Sequence, residues 1–302
     1  MLYYTNTKID MDAASAAKES WKERLAKYAR FVKIEHTLFS LPVLFSGSIL
    51  ADMAWPGWRV TGLVLLAATG GRTLAMTLNR ILDRSIDRKN PRTASRELAS
   101  GALGLFHAFL VGLLSLLVYV WAAQQLSDFC LRWSGLPVAL FFIYPLLKRF
   151  TWLAHFGLGL TWAMAPLAGW FAVRPGFEGC WPAAILAVFS FFWLAGFDII
   201  YATLDEAFDR SQGLYSLPAR FGRRRALRVS ALLHVAAFLC LAALYMTVLN
   251  GVWAAFFMTI AGFFLFFEHI LSDNVDMAFF KMNVVTGFLV LAMVVMGVRT
   301  EF

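Results

Sequence analysis

The sequence predicts an all-α integral membrane protein with nine transmembrane helices. Three observations predict it. The 302 residues are 60% hydrophobic and only 15% charged, with a mean hydropathy of +0.66, whereas soluble domains are about a quarter charged. Apolar runs recur along the chain at about 20 residues each, the length that crosses a bilayer as a helix. The Lys and Arg between those runs concentrate in alternate connections, as they do in membrane proteins of fixed orientation.

The elements follow in order. Residues 1–30 read as an N-terminal amphipathic cytoplasmic segment. They lack a basic stretch followed by an apolar run, so no cleavable signal peptide is expected. Within them, residues 13–30 predict a helix at the membrane surface, with Trp21, Leu25 and Tyr28 spaced at three and four. Residues 31–302 read as one transmembrane domain. Its spans fall at 34–53, 59–79, 102–124, 135–147, 152–173, 181–202, 226–248, 252–271 and 278–298. Of the 27 Lys and Arg, 22 lie before the first span, after the second, fourth and sixth, or at the start of the ninth. Only Arg59, Arg132, Arg174 and Arg299 lie on the other side, and Arg72 is inside the second span. The positive-inside rule therefore puts the N-terminus in the cytoplasm and the C-terminus outside. The same asymmetry accounts for the net charge of +8 without a nucleic-acid partner. Cys130, Cys180 and Cys240 are scattered and read as small apolar fillers.

Two acidic constellations stand out. The stretch NRILDRSIDRKNPRTASREL, residues 79–98, places Asn79, Asp83 and Asp87 four apart, on one face of a helix continued from the second span. The stretch GFDIIYATLDEAFDRSQGLYS places Asp198, Tyr201, Asp205 and Asp209 on a stripe of a single helix about 80° wide. Asp198 falls within or just at the end of an apolar span, where a carboxylate is expensive, about 2.5–3.5 kcal/mol at a helix centre, and carboxylates four apart repel. Arriving cations would relieve both. Asp groups and an amide carbonyl are hard oxygen ligands that suit Mg²⁺, which shares its remaining positions with waters and substrate phosphates. The surrounding Arg and Lys fit phosphate. The plain alternative is a set of snorkelling, mutually neutralising charges, which one constellation alone would favour and the pair does not. Glu268, His269 and Asp273 end the eighth span and read as a solvated loop.

These residues resemble the UbiA superfamily of intramembrane prenyltransferases. That family pairs NDxxDxxxDxxxxRTxxRP with DxxYxxxDxxDDxxxGxxS. Here Asn79, Asp83, Asp87, Arg92, Thr93 and Arg96 match the first motif, and Asp198, Tyr201, Asp205, Asp209, Gly213 and Ser216 the second. The segment YPLLKRFT, residues 144–151, is similar to the YPxxKRxT of 4-hydroxybenzoate members. Arg80, Phe208 and Glu97 depart from the family's Asp, Asp and Pro. The variant pattern looks closest to the UbiA-like group of 4-hydroxybenzoate polyprenyltransferase relatives, some of which are linked to menaquinone made by the futalosine route.

The resemblance implies a UbiA-like bundle in the cytoplasmic membrane, its active site facing the cytoplasm. It implies Mg²⁺-dependent transfer from a polyprenyl diphosphate to a ring carbon of an aromatic acid, in ubiquinone or menaquinone biosynthesis. Asn79, Asp83 and Asp87 would hold one Mg²⁺, and Asp198, Asp205 and Asp209 the other. Arg72, Lys148 and Arg149 would stabilise the departing diphosphate, and the rings of Tyr144 and Tyr201 the allylic cation. Lys33, His36 or Arg72 would take the acceptor's carboxylate. Asp198 would polarise its phenol or take the released proton. Asp83, Asp198 and Asp205 are thus the expected catalytic acids. Prenylation of a dihydroxynaphthoate is the nearest alternative. A secondary transporter is the rival of another class, although its charges would gather nearer the bilayer midplane.

Overall fold

The computed structural model describes residues 20–33, 37–270 and 275–298. Among the described residues the secondary structure is helical, with no strand. Ser20 opens the first helix, α1 (Trp21–Val32), by a capping box with Glu23. Trp21 and Leu25 are exposed, while Phe31 is buried among Leu98, Leu103 and Ala108. The amphipathic face expected at the membrane surface therefore stays open over its first turns. Arg30 reaches Glu97 at 3.3 Å, so the residue that departs from the motif's Pro anchors α1.

The long helices that follow are α2 (Thr37–Asp52), α3 (Gly57–Lys89), α4 (Leu105–Leu126), α5 (Gly135–Leu147), α6 (Ala154–Val173), α7 (Trp181–Ala202), α8 (Arg223–Thr247), α9 (Val252–Ile270) and α10 (Val275–Gly297). Among the described residues, seven stretches are helical, long and apolar enough to cross a membrane. Chain neighbours pack together from α5 through α6, α7, α8 and α9 to α10, and α2 closes the arrangement between α10 and α6. The core centres on α7, where Leu186, Phe189 and Trp193 are fully buried against α2, α8 and α10. On the outside, Leu117, Leu232 and Phe263 are exposed, an apolar surface that suits lipid and makes this a membrane protein.

α2 and α6 approach through small residues. A Cβ on Gly47 would overlap the backbone carbonyl of Pro166, and one on Gly169 that of Leu44. Ser48 Oγ donates to the Gly169 carbonyl at 3.0 Å across this contact.

Two expectations are corrected. The second constellation does not lie on one helix: α7 ends at Ala202, a 3₁₀ turn covers Thr203–Asp205, and a short helix runs Glu206–Ser211. The Thr203 amide bonds back to the Ile200 and Tyr201 carbonyls, and its hydroxyl donates to Ile200, which tightens the backbone there. Glu268 is not solvated but only 3% exposed, with Oε2 3.7 Å from His234 Nδ1. His234 in turn lies 2.9 Å from His269, and both Glu268 oxygens are buried without a hydrogen-bond partner. Asp273 lies outside the described residues.

Candidate active site

α3 runs past the apolar span to Lys89, so Asn79, Asp83 and Asp87 share one helix face as their spacing predicts. Pro91 forbids further helix and leaves Asn90 extended at the C-cap. The three residues line a cavity of about 270 Å³ together with Lys33, Arg72, Tyr144, Lys148, Asp198, Tyr201, Asp205 and Asp209. The break after Ala202 thus turns the second constellation without removing it from the first. Arg149 lies behind this wall: it donates to the Leu82 carbonyl at 2.5 Å and stands 3.9 Å from Asp83. His36 lies outside the described residues.

The carboxylates are engaged by cations. Asp83, 2% exposed, accepts from Lys148 Nζ at 2.5 Å and from Asn79 Nδ2 at 3.3 Å. Its other oxygen, Oδ1, is buried without a hydrogen-bond partner. Asp87 accepts from Arg96 at 2.7 Å, and Arg80 stands 4.0 Å away. Asp205 accepts from Nε and Nη2 of Arg92 and from the Asn90 amide, the last at 2.8 Å. Arg92 also donates to the Tyr201 hydroxyl at 2.6 Å and lies over its ring, 4.8 Å from the centroid. Burial works against the charge of Arg92, but its bonds to Asp205 and Tyr201 outweigh that and hold its pKa above the usual arginine range.

Below the polar cavity, Arg72, Tyr144, Leu158 and Trp162 also line an apolar groove of about 130 Å³. That groove shares Leu44, Tyr119, Pro137 and Met164 with another of about 290 Å³, whose lining reaches Trp133, Phe171 and Phe177. A path with charged walls at one end and apolar walls along the rest therefore runs down the inside of α6.

Sequence reasoning missed Asn90 and His155. Nothing in the sequence marked Asn90 as a partner of Asp205. His155 Nδ1 lies 2.6 Å from Asp198 Oδ2, a contact between α6 and α7 that spacing along one helix cannot reveal. Gly213 and Ser216 are structural: Gly213 turns at φ +66°, and Ser216 caps the helix Leu217–Phe221.

Residues 40–297 match the sequence profile of the UbiA prenyltransferase family. The chain belongs to that family. A mitochondrial 4-hydroxybenzoate polyprenyltransferase from Rattus norvegicus is 30% identical over 216 residues, 69% of this chain and 57% of the rat protein. The chain thus matches little more than half the length of that relative. The solved apo structure of a UbiA homologue from Aeropyrum pernix K1 is 30% identical, with a TM-score of 0.81 over 87% of this chain and 98% of that one. A UbiA homologue from Archaeoglobus fulgidus, solved with DMAPP and Mg²⁺, has the same fold at 18% identity and a TM-score of 0.65, over 88% of this chain and 99% of that one.

Proposed function

We propose that this protein transfers a polyprenyl group from a polyprenyl diphosphate to a ring carbon of an aromatic acid of the 4-hydroxybenzoate type, in quinone biosynthesis. The observation that carries this reading is the joined path: an acid- and base-lined cavity that continues into an apolar groove. Its two parts suit a charged head and a prenyl tail. Relatives named as 4-hydroxybenzoate polyprenyltransferases support the acceptor class.

The donor set fits Mg²⁺. Among the described residues no three acidic, His or Cys groups gather into a cage that could hold a metal ion. Mg²⁺ needs no such cage, since one or two carboxylates plus waters and substrate phosphates suffice. Asp83 Oδ1, buried and without a hydrogen-bond partner, is an oxygen ready for such an ion. The A. fulgidus homologue, with bound Mg²⁺ and DMAPP, supports the same pairing. Asn79, Asp83 and Asp87 would hold one ion, and Asp205 and Asp209 the other. Bound Mg²⁺ would neutralise the diphosphate and make it a leaving group. Asp198 had two roles open, ligand or base, and its bond to His155 favours the second.

Lys148 and Arg72, which line the cavity, would receive the charge that develops on the leaving diphosphate, and Arg149, behind the wall, would act through Asp83. Tyr144, at the junction of cavity and groove, offers its ring to the allylic cation. Tyr201 has Arg92 over its ring and would serve only after that cation moves. Lys33 and Arg72 remain for the acceptor's carboxylate, with His36 a further candidate. The domain is taken as residues 31–302, preceded by the surface segment 1–30. The proposal includes nine spans, a cytoplasmic N-terminus, an outer C-terminus and a site facing the cytoplasm, supported by the charge asymmetry.

The test is to incubate membranes with labelled prenyl diphosphates of several lengths, Mg²⁺, 4-hydroxybenzoate and dihydroxynaphthoates, and to identify products by mass. Prenylated 4-hydroxybenzoate is expected. Product from dihydroxynaphthoate alone would overturn the acceptor, and no prenylated product at all would overturn the function.

A further inference from the structure

His155 stands in the first turn of α6, only 4% exposed. Both ring nitrogens are used. Nδ1 lies 2.6 Å from Asp198 Oδ2, and Nε2 lies 3.2 Å from the backbone nitrogen of Leu217. A backbone N–H can only donate, so Nε2 accepts. The proton of the neutral ring is then on Nδ1, where it donates to Asp198. The main chain therefore dictates the tautomer.

That main chain is well held. Leu217 is 3% exposed and packs with Ile199 and Ala226. Its helix, Leu217–Phe221, is capped by Ser216. The imidazole is thus braced from behind by a buried turn, and it fixes the carboxylate in front. Asp198 keeps a side-chain exposure of 27% and lines the polar cavity. The ion pairs of Lys148, Arg96 and Arg92 go to Asp83, Asp87 and Asp205. Asp198 faces an imidazole instead, so its surroundings differ in kind from those of the diphosphate end.

We propose that His155 is a positioning residue that holds Asp198 as the base for the proton released from the acceptor ring. This rests on the prenyl-transfer reading above. A ring carbon bonds to C1 of the prenyl group while the C1–O bond breaks, and the diphosphate leaves with that electron pair. The substituted ring carbon still carries its hydrogen. Asp198 takes it as a proton, and the C–H electrons restore the aromatic ring. His155 keeps its Nδ1–H throughout and stays bonded to the carboxyl group.

The experiment compares His155→Leu with His155→Gln, using acceptor with hydrogen or deuterium at the substituted ring position. Gln can donate from its amide nitrogen and accept at its amide oxygen, so it can replace both bonds. His155→Leu is expected to lower kcat by about 10²-fold, with KM for the prenyl diphosphate unchanged. Deprotonation should then limit the rate, giving a primary isotope effect larger than that of wild type. His155→Gln is expected to recover most of kcat and to return the isotope effect to the wild-type value. Either of two results from proteins folded in membranes would overturn the proposal: a slow Leu variant without the larger isotope effect, or a Gln variant as slow as the Leu variant. If the Leu variant does not accumulate, the Gln variant decides, with wild-type-like kcat supporting the role and a hundredfold loss overturning it. Absence of any prenyl transfer by wild type would instead strike the function on which the role rests.

Discussion

Asp205 is where the two long connections meet. Asn90 and Arg92, from the stretch after α3, both bind it, although 113 residues or more separate them from it in sequence. Asp83 holds the corresponding place in the first ladder, against Lys148. If these carboxylates carry the metals, Asp83→Asn and Asp205→Asn should each lower transfer by 10²-fold or more, on the order of 3 kcal/mol in the barrier. The measurement is labelled prenyl transfer in membranes with Mg²⁺, and wild-type rates from both variants would sink the assignment. The first ladder was legible in the sequence because four-residue spacing converts directly into one helix face, whereas the second was legible as a motif but not as the broken helix that carries it. The pairs His155–Asp198 and Asn90–Asp205 were not legible, because they join separate elements. Arg80 was legible as an anomaly but not as an answer: it is buried near Asp87, where its charge offsets a carboxylate within the protein.

At the scale of elements, apolar length located the long helices, while α3 runs ten residues past the span read as 59–79, to Lys89 just before Pro91. The break of α7 at Ala202 was hidden. YATLDEAF carries no Gly or Pro, and the turn arises from Thr203 and from the pull of Asp205 toward Arg92. The contact of α2 with α6 gives a sharper test. Gly169→Val would drive a side chain into the Leu44 backbone, whereas Gly62→Ala meets nothing within 4 Å. Overpacking of this kind costs about 1–3 kcal/mol and can cost more where the obstacle is backbone. Gly169→Val should therefore lower the thermal midpoint in detergent by several degrees or prevent accumulation, and Gly62→Ala should match wild type. Equal midpoints for the two would show that the helices can separate at little cost.

At the scale of the whole molecule, the charge asymmetry makes a claim about orientation. A reporter active only outside the cytoplasm, fused at the C-terminus, should be active. The same reporter fused after Arg88 should be silent, and the reverse pattern would invert the topology. Family and fold class were readable from two motifs and a hydropathy profile, but the joined path of cavity and groove needed the packing of α3, α5 and α6. The ion pairs lining that cavity have one more consequence. Asp83, Asp87 and Asp205 already hold Lys148, Arg96 and Arg92, so the mouth is internally compensated before any ligand arrives. If the proposed function holds, loading it would be an ion exchange: the carboxylates would pass to Mg²⁺, and the displaced Lys148, Arg96 and Arg92 would turn to the diphosphate. Neither ion would gain much alone. The mouth would thus act as a two-key lock, admitting metal and diphosphate together in preference to either one.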